Sequence, residues 1–237
     1  MATSTWNSSD FNCGSEVTFG NTWSTCSGTI VTGSAWSSTG AGTTLQTAGI
    51  RKYSGGFGVS NQIEGFNVGA DEHTMDSGTP GIDLIALDFG TSKVALTAAN
   101  VGYIGSGKDS DISVLAWTGA NAPSSLSLAL AGKGYVSAAN GGLTGGGWTV
   151  VGNYANLALN TAKTINAGNI SSSWWLISAY NSTWGTGTGL DSANDYIKIL
   201  SIAGNVTQNL PEPSSLALAG VAVAGLLALR RKAKKVS

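Results

Sequence analysis

Ile82-Asp83-Leu84-Ile85-Ala86-Leu87-Asp88-Phe89 is the stretch that decides the fold class. It is apolar on one alternation and mixed on the other, which is the period of a strand and not of a helix. Segments of the same kind recur on either side. Residues 29–36 alternate Ser and Thr with apolar side chains, and residues 93–104, 111–117, 125–130, 148–154, 174–180 and 195–202 extend the series. Each is bounded by Gly, Asn, Ser or Asp clusters, which are turn chemistry. No stretch before Pro211 carries a 3.6-residue period with caps. The pattern predicts an all-β body, a β-sandwich of jelly-roll type over residues 1–204. No repeat of propeller or solenoid length is present.

Composition agrees. Of 237 residues, Gly, Ser and Thr supply 88, and charged residues only 11%. Coiled coils and long-helix bundles need far more charge than this. Disorder is excluded as well, because 42% of residues are hydrophobic and eight are Trp. The formal net charge of −1 hides an asymmetry. Before Pro211 there are seven Lys/Arg against twelve Asp/Glu; from Pro211 onward there are five against one. The acidic body is not built for phosphate backbones, so no nucleic-acid partner is expected.

The basic charge is concentrated at Arg230, Arg231, Lys232, Lys234 and Lys235. Ahead of it, residues 216–229 are Leu, Ala, Val and Gly only, and ahead of those stands Pro211-Glu212-Pro213. Fourteen residues of helix reach about 21 Å, against a hydrocarbon core of about 30 Å. Adding Ser214 and Ser215 and letting Arg230 snorkel brings the segment closer to a span. The run is apolar all round, whereas a helix on the surface of a globular domain shows a polar face. A transmembrane helix over residues 214–229 is therefore predicted, with Pro213 placed to start it. Residues 205–210 read as a linker.

The order of motif, apolar run and basic cluster resembles the PEP-CTERM sorting signal of exported proteins of Gram-negative bacteria. The resemblance covers residues 211–237. It implies recognition of Pro211, Glu212 and Pro213 by an exosortase, a membrane-embedded cysteine transpeptidase. It also implies a precursor inserted in the inner membrane and then sorted to the cell surface or extracellular matrix. An exported chain needs an N-terminal signal, and residues 1–6 have neither a basic nor an apolar region of that kind. The expectation is that the true start lies further upstream. Within the body, Tyr53-Ser54-Gly55-Gly56-Phe57-Gly58-Val59, residues 71–76, residues 83–89 and residues 102–115 are similar in order to a group of exosortase-dependent surface proteins. That likeness implies a surface location and no chemistry.

Candidate chemistry is sparse. Cys13 and Cys26 enclose twelve residues, and in an oxidising compartment they are expected to form a disulfide. His73 is the only histidine, so any Ser-His-Asp device must use it, and zinc lacks ligands. Asp71, Glu72 and Asp76 lie near it in sequence; a loop histidine with local hydrogen bonds is the expectation. Residues 102–109 nearly spell a P-loop, but Asp109 stands where Ser or Thr must hold magnesium, and a strand follows where a helix is needed. A hairpin turn is expected there. Asp109 with Asp111, and Asp191 with Asp195, offer hard oxygens at strand starts. Calcium would suit them, although solvated turn carboxylates are the expectation. The Trp residues are expected in the core. The alternative is a sugar-stacking row among Trp148, Trp174, Trp175 and Trp184, which would make the body a carbohydrate-binding module with polysaccharide as partner. A carboxylate-based hydrolase is the third reading. The expectation is a non-catalytic surface protein without cofactor or metal.

Overall fold

The computed structural model describes residues 3–13, 25–38, 43–61, 73–78, 81–135, 142–191 and 193–207. The chain divides between Thr207 and Gln208. The expected tail helix, the Pro-Glu-Pro motif and the basic cluster lie outside the described residues. Among those described, no helix is long and apolar enough to cross a membrane.

The described chain is almost entirely strand. In order it forms β1 (Thr3–Asn7), β2 (Asn12–Cys13), β3 (Cys26–Ser27), β4 (Thr32–Ser38), β5 (Leu45–Tyr53), β6 (Gly56–Ser60) and β7 (Met75–Asp76). Then follow β8 (Asp83–Asp88), β9 (Lys93–Ile104), β10 (Ile112–Trp117), a short helix α1 (Leu126–Leu130), β11 (Trp148–Tyr154), β12 (Lys163–Thr164), β13 (Trp174–Ala179) and β14 (Tyr196–Thr207). The main path runs β11-β10-β13-β8-β4-β5-β6-β14-β9-β12, with β1 and β7 on β14 and β2-β3 on β4. Neighbouring strands are antiparallel, as in β9 on β14 and β13 on β8. The expectation of an all-β body therefore holds, in the form of one curled antiparallel sheet.

The curl turns on β5. Its first half, to Ala48, pairs with β4, and from Gly49 onward it pairs with β6. The two parts of the sheet then share a core. Ile85, Leu87, Trp175 and Ile177 from β8 and β13 join Leu96, Val101, Ile197 and Ile199 from β9 and β14 in one buried cluster. The void left between Trp6, Phe57, Ile85 and Ile199 is about 10 Å³, room for one water at most. A second cluster covers the opposite face of β8 and β13. There Leu84, Ala86, Trp174 and Leu176 pack against Leu126, Ala129 and Leu130 of α1 and against Leu143 and Trp184. A strand covered on both sides reads as a nearly continuous apolar run, and β8 is that case.

Three expectations need correction. Of residues 125–130, expected as a strand, Leu126–Leu130 form α1. Ser125 caps it by accepting the Leu128 N–H at 3.3 Å, and Leu126, Ala129 and Leu130 reach the second core while Leu128 stays 60% exposed. A Leu-Ser-Leu-Ala-Leu segment alternates in sequence, yet its three buried positions follow helical spacing. The turn after β9 is real, with the Lys108 N–H bonded to Gly105 O at 3.0 Å, but it closes no hairpin. β9 pairs with β14 and β12, whereas β10 pairs with β11 and β13. Finally, β14 runs on to Thr207, so Asn205, Val206 and Thr207 are paired with Ala95, Val94 and Lys93 where a linker was expected.

Candidate functional site

The chemistry-bearing side chains gather where strands cross between the two parts of the sheet. Asp111 immediately precedes β10 and Asp195 immediately precedes β14. The Asp111 N–H donates to Asp195 Oδ1 at 2.7 Å, and a parallel bridge links Asp109 to Asp195. One oxygen each from Asp109, Asp111 and Asp195 lie within 4.8 Å of one another. Among the described residues this is the one group of three His, Cys, Asp or Glu side chains so arranged. It is where a hard cation could be held, so the oxygens read from sequence do converge. The pairing differs from the sequence reading. Asp191 offers the trio its backbone N–H, donated to Asp111 Oδ2 at 3.0 Å.

Asp111 and Asp195 are not solvated turn groups, which corrects that expectation for these two, whereas Asp109 is half-buried and Asp191 is exposed. Asp111 and Asp195 are both 0% exposed. Asn156 N–H donates to Asp111 Oδ1 at 2.7 Å, and Ser77 Oγ donates to Asp195 Oδ2 at 2.9 Å. Each aspartate thereby ties together segments distant in sequence, which is structural work for a buried acceptor. Burial, and secondarily the neighbouring Asp111 and Asp109, push the Asp195 carboxyl up to about 7, against the restraining Asp111 N–H and Ser77 hydroxyl. Burial also raises the Asp111 carboxyl, and raises the Tyr180 hydroxyl with help from Asp111 and Asp195.

Ser77 joins this trio to a second buried pair. Its backbone N–H donates to Asp195 O at 3.1 Å, and Asp76 beside it faces Asp83 of β8. Asp76 and Asp83 are 3% and 1% exposed. Burial, then the charge of Asp76, hold the Asp83 carboxyl well above the usual carboxylate range. Sequence reasoning passed over Asp83. The signal was available: an acid inside a run whose neighbours are all buried cannot reach water.

The remaining candidates disperse. His73 Nδ1 lies 3.0 Å from Ser60 Oγ, and its ring stacks on Tyr53 with centroids 5.3 Å apart. Asp71 and Glu72 lie outside the described residues. Trp148, Trp174, Trp175 and Trp184 are 2%, 9%, 0% and 7% exposed, so they form no open row for stacking sugars. Their indoles satisfy interior acceptors instead: Trp175 Nε1 donates to Val94 O at 3.0 Å and Trp184 Nε1 to Tyr135 O at 3.0 Å. Cys13 and Cys26 stand opposite each other in the β2–β3 register and are bonded through their Sγ atoms.

At the family level, residues 209–232 match the PEP-CTERM protein-sorting motif. The match identifies that segment as a sorting signal of the PEP-CTERM kind. No curated protein and no solved structure matches the chain.

Proposed function

We propose that this is an exported, non-catalytic protein of the cell surface or extracellular matrix, sorted and processed by an exosortase. The observation that carries the reading is the sorting motif at residues 209–232. In the precursor, residues 214–229 lie in the inner membrane as a helix. Arg230, Arg231, Lys232, Lys234 and Lys235 hold its end on the cytoplasmic side by the positive-inside rule. Pro211-Glu212-Pro213 then stands at the outer leaflet. The residue before a proline is steered toward extended backbone, which suits a strand-like substrate for a transpeptidase. The curled sheet, with its core between two facing parts, supports the sandwich reading of the body. The Cys13–Cys26 bond suits an oxidising compartment. Of the acids that converge, Asp111 and Asp195 are sealed from solvent and accept backbone N–H groups, which supports a structural role for them and not a hydrolytic one.

Intact mass tests the sorting reading directly. In a host that has an exosortase, surface-extracted protein is expected to be shorter by the hydrophobic tail. Full-length chain ending at Ser237 would replace this reading with a tail-anchored protein. Glu212→Ala is expected to block processing while leaving membrane insertion intact, because Glu212 belongs to the recognised motif and lies outside the apolar run.

A further inference from the structure

Residues 3–13 form an arm laid against the body. β1 pairs with residues 201–205 of β14. Trp6 enters the main core and meets Phe89 edge-to-face, with ring centroids 5.2 Å apart. Phe11 meets Phe57 in the same way at 4.9 Å, and Lys52 Nζ donates to Phe11 O at 3.3 Å. The last attachment is covalent, from Cys13 to Cys26. Cys26 is fully buried in the main core cluster, and Cys13 packs against that cluster. Among the described residues, β1 pairs with β14 and β2 with β3. Residues 201–205 keep β9 on their other edge. The arm can therefore come away while the remaining ladders stay, as a local opening of the fold. Its loss is felt inside. Trp6 walls the small apolar void that Phe57, Ile85, Ile199 and Ile202 also line. An undocked arm opens that core to water and bares a strand edge on β14.

How firmly the arm stays down turns on the bond. β2 and β3 pair over two residues each, and so short a ribbon does not persist alone in water. With the bond made, Cys13 is fixed beside β3, and an arm that lifts stays close to its seat and returns. Without it, the β1 ladder and the two aromatic contacts must by themselves offset the entropy of ordering the arm. We propose that the Cys13–Cys26 bond is a redox latch on the N-terminal arm. The arm docks and closes the core when the bond forms, and undocks when the bond is reduced. Closing is thiol–disulfide exchange with a disulfide-bearing oxidant. One cysteine thiolate attacks the oxidant's disulfide and expels one of its sulfurs; the second cysteine then displaces the other sulfur from the mixed disulfide. Two electrons pass to the oxidant, and the two cysteine protons end on its two released thiols. The place of the latch in the life of the chain rests on the export reading. The chain is reduced and its arm open before export, and it closes in an oxidising compartment.

Hydrogen–deuterium exchange of the full chain in detergent, read by mass spectrometry, tests the latch. Oxidised protein is compared with the same protein in dithiothreitol and with the double variant Cys13→Ser, Cys26→Ser. Breaking or removing the bond is expected to speed exchange over residues 3–13 by at least roughly tenfold. A partial rise is expected over residues 201–205, with residues 83–88 and 174–179 unchanged. Adding glutathione disulfide to the reduced protein is expected to restore protection of the arm. An arm equally protected with and without the bond would overturn the proposal. An equal loss of protection in every strand would overturn it too, because the bond would then hold the whole body and not the arm. A body that does not fold at all without the bond counts in the same way. If only the variant fails to fold, the reduced wild type decides; if dithiothreitol does not open the bond, the variant decides. No exosortase enters these measurements, so failure of the latch and failure of the sorting reading are told apart.

Discussion

At Asp195, burial works against charge, and the consequence is a pH dependence with a definite sign. Its carboxyl titrates at about 7 in the folded chain, against about 3.9 for an exposed aspartate. The stability this group contributes is full below about pH 4 and is lost as pH rises through about 7. Wild-type unfolding free energy should fall over that window by roughly a few kcal/mol, and urea titrations of Asp195→Asn should show a shallower fall. An unchanged slope would mean the group is already ionised. Nearby, Ala193 is exposed and holds φ at 69°, a conformation that costs an L-residue about 1–2 kcal/mol. Among the described residues, the other non-glycine positions with positive φ are Asn156, Asn160, Asn166 and Asn169, whose side chains tolerate it. Ala193→Gly should therefore stabilise by up to about 1 kcal/mol, allowing for the entropy glycine brings to the unfolded chain. Chemical denaturation decides, and a lower midpoint would refute the strain. At this scale the sequence announced acids at strand starts and grouped Asp109 with Asp111, which do converge. It also grouped Asp191 with Asp195, whereas sheet order brings Asp195 to Asp111.

Among the elements, β2 and β3 show how little backbone pairing can be made to persist. Each has two residues, and Cys13 and Cys26 are register partners. Their bond closes a loop with a sequence separation of 13, worth about 3 kcal/mol by loop-closure entropy. Peptide mapping of periplasmically expressed protein should recover the Cys13–Cys26 crosslink. Reduction should lower the unfolding free energy by about that amount. Two thiols that alkylate without denaturant would contradict both statements. β8, β9, β10, β11, β13 and β14 were legible because length, alternation and turn residues agreed. β5 was not, because its partner changes from β4 to β6 at Gly49. A strand that turns the corner of a sheet shows each face to a different environment along its length, and simple alternation is lost. The helix α1 was missed for the opposite reason: five residues are too few to separate a period of 2 from one of 3.6.

For the whole molecule, the last residues of β14 tie the N-terminal strand to the body. Asn205 faces both Ala95 and Thr3 in register, and Thr3 Oγ1 donates to Asn205 Oδ1 at 2.8 Å. Val206 packs on the main core cluster. A chain ended after Thr207 should fold without the sorting tail and remain soluble. One ended after Gly204 should be weaker by about 1–2 kcal/mol, through lost ladder bonds and the lost Val206 contact. Thermal melts of the two truncations compare them directly. Equal melting temperatures would place the functional end of the body before Asn205.

The sequence by itself determined the all-β character of the body and the presence of the sorting signal. Both are local properties. A strand is written in a period of two, and residues 211–235 carry motif, apolar run and basic cluster contiguously. Only the tertiary structure decided which strands neighbour one another, and with that everything at the crossovers. Asp76, Asp83, Asp109, Asp111 and Asp195 are scattered over 120 positions, and nothing in their spacing says that Ser77 joins one group to the other. Nor could the sequence say whether a Trp would be exposed. The same apolar surface serves a core or a sugar platform, and the choice falls to whichever face the curl of the sheet encloses.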